Sequence, residues 1–176
     1  VNVLAIDTAT PYLVLGTLDA ERTLRRGRRH AETLIADLEA FLAGVGLEPG
    51  RLELIVVGEG PGSYTGIRVA VATAMGLARG LGVPVVGASS LAAAAARARG
   101  RVRAAFEARN RQVYTALYRV DGLPEEQDPP ARLAAGALPR EDACLLWNAP
   151  PSGRALARLG LERWNRGDAR LVPVYF

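Results

Sequence analysis

A chain of 176 residues, 49% of them hydrophobic and 23% charged, has the composition of a globular protein large enough for one domain or two small lobes. All 22 basic residues are arginine, and the net charge of +4 is a mild excess that admits an anionic partner without requiring one. A single cysteine excludes an internal disulfide, no CxxC or Cys/His group offers zinc ligands, and no apolar run reaches the ~20 residues of a membrane span.

In chain order, Val1 to Ile6 reads as a buried strand, a short β-branched and aliphatic run. Asp7 breaks this run and no basic leader precedes it, so a signal peptide is not expected and the cytoplasm is. Asp7-Thr8-Ala9-Thr10-Pro11 is turn chemistry, and Tyr12 to Leu18 returns as a second strand. The carboxylate and hydroxyls of that turn suit a phosphate or its Mg²⁺. They equally satisfy turn backbone, the commoner use of Asp and Thr. Arg22 to Arg28 is a third, more polar strand, and Arg25-Arg26-Gly27-Arg28-Arg29-His30 is the densest positive charge, with no aromatic interleaving. His30, the only histidine, has no companion set for a metal site.

From Ala31 the period turns helical, with Leu34, Ile35, Leu38, Phe41 and Leu42 on one face and Glu32, Asp37 and Glu39 on the other. Gly44 and Gly46 end this helix. Leu54 to Val57 is a continuous apolar run, the mark of a central strand covered on both faces. The turn Gly60-Pro61-Gly62-Ser63-Tyr64-Thr65-Gly66 looks like a phosphate cradle at a helix N-terminus. It has no Gly-Lys-Ser/Thr, and Gly58, Gly60 and Gly62 do not fit G-x-G-x-x-G. A tight turn with Ser63 or Thr65 capping the next helix is the reading preferred here.

The helix expected over Thr65–Gly80 carries two stripes of small residues, Gly66, Ala70, Ala74 and Ala78 on one and Ala72, Gly76 and Gly80 on the other. Each interior glycine weakens a helix by roughly 1 kcal/mol against alanine, so tertiary packing must hold it. One face meets the sheet; the other meets a second helix, of this chain or of another. Val83 to Val86 is the next strand, and Ser89 or Ser90 caps a helix through Leu91 to Ala98, giving βββαβαβα.

Beyond residue 100 the elements predicted are a hairpin of Arg101–Glu107 and Gln112–Val120, and a polar proline-bearing loop from Asp121 to Pro130. A short strand at Leu145–Trp147, a helix over Gly153–Leu161 and a final strand from Leu171 to Phe176 follow. Cys144, among apolar neighbours, is expected to be buried.

The segment Ile6-Asp7-Thr8-Ala9-Thr10 followed by GPGSYTGIRVAVATAMGLARGLGVPVVGASSLAA resembles the TsaB family, also called YeaZ. The likeness is specific over about Val1 to Ala95 and weaker beyond, where Glu107-Ala108-Arg109 and Gln112-Val113-Tyr114 stand for the family's Asp-Ala-Arg and Glu-Val-Tyr. The resemblance implies an actin/hsp70/sugar-kinase-like (RNase H-like) two-lobe α/β fold. Residues 1–100 would form the N-terminal lobe and residues 101–176 a shortened C-terminal one. It implies a non-catalytic scaffold in the making of threonylcarbamoyladenosine at position 37 of tRNAs that read ANN codons. This subunit would pair with the catalytic paralogue TsaD and recruit the ATPase TsaE, with tRNA met only through the complex and a homodimer formed through the same helices.

The implied interface lies on the first two helices, at Leu34, Leu38, Gly66, Ala70, Thr73, Ala74 and Leu77. No catalytic residue, metal ligand or cofactor is implied. Ala88-Ser89-Ser90-Leu91-Ala92-Ala93-Ala94 stands where the paralogue holds its metal with two histidines, and Ala9 replaces a phosphate-loop glycine beside Asp7, Thr8 and Thr10. The competing readings are a small kinase-like ATPase, a protease-like relative, or a module that binds tRNA directly.

Overall fold

The computed structural model describes all residues, 1–176. The elements in order are β1 (Val3–Asp7), β2 (Tyr12–Gly16), β3 (Glu21–Arg25), α1 (His30–Gly44), β4 (Leu54–Gly58), α2 (Tyr64–Leu81), β5 (Val85–Ala88) and α3 (Ser90–Ala95). They are followed by β6 (Gly100–Ala108), β7 (Gln112–Val120), β8 (Pro124–Ala134), β9 (Cys144–Trp147) and α4 (Gly153–Asn165).

Two sheets result, ordered β3-β2-β1-β4-β5 and β8-β7-β6-β9. In the first, β1 pairs antiparallel with β2 and parallel with β4, which pairs parallel with β5. The aliphatic runs of β1 and β4 follow from this position. Leu4, Ile6, Ile55 and Val57 face one side and pack with Leu34, Leu38, Phe41 and Leu42 of α1 and Ala70, Ala74 and Ala78 of α2. The alternate residues Val3, Ala5, Leu54 and Val56 face the other side, against Ala93 of α3 and Leu156 and Ala157 of α4. Side chains alternate along a strand, so a strand covered on both faces is apolar throughout.

The two sheets use consecutive strands, β1–β5 and then β6–β9, but the helices do not follow that order. α3 covers the second sheet through Leu91, Ala92, Ala94 and Ala95, whereas α4 crosses back to the first. There Gly160 lets the helix lie directly on Val56, where a Cβ would stand 2.3 Å from Val56 Cγ2.

Three expectations are corrected. The segment from Pro124 to Ala134 is an edge strand rather than a loop: Pro124, Pro129 and Pro130 lie on a strand with only one paired edge, and its ladder is irregular opposite Thr115 and Leu117. Leu171 to Phe176 joins no sheet and is held instead by Glu59. Cys144 is exposed at the start of the second sheet's β9 edge.

Candidate functional site

The first turn sits against the entrance to α2. Thr8 Oγ1 donates to the Gly66 carbonyl at 2.5 Å, and the Ser63 N–H donates to the Ala9 carbonyl at 2.8 Å. Ser63 caps α2 by accepting from the Gly66 N–H at 3.2 Å. The approach is so close that a Cβ on Gly66 would lie 2.0 Å from the Thr8 carbonyl oxygen, and one on Gly62 2.3 Å from that of Ala9. The space that an anion takes at a helix N-terminus is thus occupied by the chain's own backbone.

Behind the turn, His30 is buried and its Nε2 lies 2.8 Å from the Thr10 carbonyl, so this nitrogen carries the proton and donates. Burial lowers the His30 pKa, offset in part by the hydrogen bond to the Thr10 carbonyl. Asp7 is fully buried: Oδ1 accepts from the Ala9 N–H at 2.8 Å, while Oδ2 has no hydrogen-bond partner. Its carboxyl fits only because residue 58 is glycine, where a Cβ would stand 2.0 Å from Oδ2. Burial pushes the Asp7 pKa up to about 6, offset in part by the Ser90 hydroxyl and the Ala9 N–H.

Glu59, at the end of β4, is a buried carboxylate the sequence reading did not single out. Its side chain pairs with Arg163 of α4 at 3.0 Å and accepts from the Val172 N–H at 3.0 Å, while its carbonyl accepts from Val174 at 2.7 Å. Burial raises its pKa; the Val172 N–H and Arg163 offset this. Its signal in the sequence is a carboxylate between two glycines at the end of a buried apolar run. Beside it a cleft of about 670 Å³ opens between the lobes, lined by the carboxylates Glu59, Asp121, Glu125, Glu126 and Glu162 against Arg163 and Arg166. That charge balance repels phosphates.

The residues expected at a partner interface divide. Leu34, Leu38, Gly66, Ala70 and Ala74 are buried inside this chain, and only Thr73 and Leu77 keep partial exposure. The helical period found both stripes of α2, but the stripe that faces the sheet is Gly66, Ala70, Ala74 and Ala78. The other, Ala72, Gly76 and Gly80, faces outward with Met75, which is 53% exposed. On α1, Ile35 was expected on the inner face and is 52% exposed, alongside Ala36 and Ala40. Both helices cover the same side of the first sheet, and their exposed positions combine the small and apolar Ile35, Ala36, Ala40, Ala72, Met75 and Gly76 with the charged Glu32, Glu39, Arg68 and Arg79.

Two sheets of this order, with helices exchanged between them, define a two-lobed protein of the actin/hsp70/sugar-kinase-like class. The chain belongs to the TsaD/YeaZ family, part of the threonylcarbamoyladenosine system of tRNA: the model of TsaD, tRNA N6-adenosine threonylcarbamoyltransferase, matches residues 24–143. The structure of YeaZ from Pseudomonas aeruginosa superposes over 99% of both chains with a TM-score of 0.89 and 26% identity. A second structure, described as an uncharacterized protein with similarity to peptidase YeaZ from Pseudomonas aeruginosa, gives 0.88 and 27% over 99% of this chain and 98% of that one. An uncharacterized protein of Mycobacterium tuberculosis is 34% identical over 99% of this chain and 90% of its own length. One of Mycobacterium leprae is 35% identical over 98% of this chain and 54% of its own length. No helix is long and apolar enough to cross a membrane.

Proposed function

We propose that this chain is the non-catalytic scaffold of the threonylcarbamoyladenosine machinery, pairing with TsaD through the outer face of α1 and α2 and presenting the pair to TsaE. The observation that carries this reading is the exposed face of Ile35, Ala36, Ala40, Ala72, Met75 and Gly76. Ile35 and Met75 supply apolar area, and the small residues between them let a partner helix approach closely.

Two further observations support a scaffold over a kinase-like ATPase or a protease. The first turn is filled by Gly62 and Gly66 rather than open to a phosphate, and nowhere do three His, Cys, Asp or Glu side chains gather as metal ligands. Asp7, Thr8 and Thr10 then serve to lock the turn onto α2.

Replacing Met75 with Glu, or Ile35 with Glu, should abolish co-elution with TsaD in size-exclusion chromatography. Met75 and Ile35 are 53% and 52% exposed, so a charge there keeps access to water and the melting temperature should stay within about 2 °C of wild type. Unchanged co-elution of the Met75→Glu/Ile35→Glu double variant would refute the interface. The same column run without TsaD tests for a homodimer through this face.

A further inference from the structure

We propose that a row of aromatic and arginine side chains crossing the two lobes is a stacking surface for single-stranded nucleic acid, a direct contact that the scaffold reading neither includes nor needs. The row begins on α2, where the Arg68 guanidinium lies over the Tyr64 ring at 5.2 Å. Tyr64 meets Tyr175 with ring centroids 4.9 Å apart and planes at 53°. The next residue, Phe176, stacks on Tyr114 of β7 at 5.9 Å and 27°. Arg132 of β8, opposite Tyr114 in register, lies over the Tyr114 ring at 6.0 Å.

Three of these rings are exposed to a degree unusual for their size: Tyr64 57%, Tyr175 47% and Phe176 50%. An exposed ring face is a platform on which any base stacks.

The arginines make the row more than an apolar patch. Nine arginines of this chain are held by Asp or Glu, namely Arg26, Arg29, Arg97, Arg101, Arg103, Arg154, Arg163, Arg166 and Arg170. Arg68 and Arg132 are not among them, nor are Arg109 and Arg111 at the β6–β7 turn just before Tyr114. Arg132 donates only to the Phe176 carbonyl, at 3.1 Å, and Arg68 to the Tyr64 hydroxyl, at 3.3 Å. The one carboxylate of the hairpin, Glu107, is one residue out of step with Phe106 and Tyr114 in the ladder and is engaged by Asn148. Rings alone would serve a protein partner. Arg68 at one end of the row, and Arg109 and Arg111 beside Tyr114 at the other, have no Asp or Glu partner and are the complement of a phosphate chain whose bases stack between.

The test is fluorescence anisotropy of the full chain with an end-labelled single strand of about seven nucleotides, in ribo and deoxyribo forms, beside an abasic strand of equal length. The base-bearing strand should bind roughly tenfold or more tighter than the abasic one, and tighter binding of the ribo form assigns the surface to RNA. Tyr64→Ala and Phe176→Ala should each weaken binding by about tenfold, while Tyr64→Phe, which keeps the ring, should not. Arg68→Gln and Arg132→Gln should each lower the slope of log affinity on log salt by about 0.7. No binding, equal affinity for the abasic strand, or wild-type affinity in the Tyr64→Ala/Phe176→Ala double variant would overturn the proposal. The anisotropy assay uses this chain alone whereas co-elution uses TsaD, so the scaffold reading and the stacking surface fail separately.

Discussion

Two glycines of α2, ten residues apart, give opposite responses to the same added methyl. A Cβ at Gly66 would stand 2.0 Å from the Thr8 carbonyl oxygen and 3.1 Å from its carbon, both backbone atoms that cannot swing aside. Ordinary contact begins near 3.4 Å, so β1's turn and α2 would have to separate by more than an ångström. That separation breaks the Thr8–Gly66 and Ser63–Ala9 hydrogen bonds. Overpacking on this scale destabilises by about 1–3 kcal/mol and each lost hydrogen bond adds roughly 1, while alanine's helix propensity returns about 1. Gly66→Ala should therefore lose about 2–4 kcal/mol. Gly76 has nothing within 4 Å of its added Cβ. Gly76→Ala collects the propensity alone and should gain roughly 1 kcal/mol. Thermal and urea unfolding followed by circular dichroism measure both, with 1 kcal/mol worth about 2–4 °C at this size. Equal stability of Gly66→Ala and wild type, or a loss at Gly76→Ala, would mean that the inner and outer stripes of α2 are exchanged.

Asp7→Asn should change the pH dependence of stability. The native carboxyl titrates near 6 against 3.8 for the free side chain, so ionisation disfavours the fold. The group's contribution is fully present below about pH 4 and is lost as pH rises through 6. The variant keeps the acceptor for the Ala9 N–H and carries no charge. It should match wild type at low pH and exceed it by about 2–3 kcal/mol near pH 8, read from urea midpoints at both pH values; parallel pH profiles would contradict the burial argument. Glu59→Ala should lose about 1–3 kcal/mol by removing the acceptor of the Val172 N–H and one of the two carboxylates that pair with Arg163. It should also speed hydrogen exchange at the Val172 amide, and undiminished protection there would show that Glu59 does not hold the C-terminal segment. The Met75→Glu and Ile35→Glu variants, stable but unable to pair, test the scaffold reading itself.

The sequence made the first sheet legible because its signals are local. The runs Val3–Ile6 and Leu54–Val57, the turn at Asp7–Pro11 and the glycines after α1 each specify their own backbone, and the structure has each where expected. The Asp121–Pro130 segment reads as a loop for the same reason, though Pro124–Ala134 is a strand. Proline and charge signal a loop unless the strand is an edge with one bonded side, and edge status belongs to the whole sheet. Glu59 does not stand out in the sequence because its partners, Arg163 and Val172, are more than one hundred residues away.

The glycine-rich turn shows where the division falls. By itself the sequence determined that Gly60–Gly66 leads into a capped helix with two small-residue stripes, since cap, period and glycine placement are properties of neighbouring residues. Only the tertiary structure decided that the Thr8 and Ala9 carbonyls fill the cradle, and that Ala70 and Ala74 turn inward while Ala72 and Gly76 face out. Helical periodicity fixes the angle between two faces but not their rotation about the axis. That rotation is set by contact with β1 and β4, where close approach favours the stripe that carries Gly66.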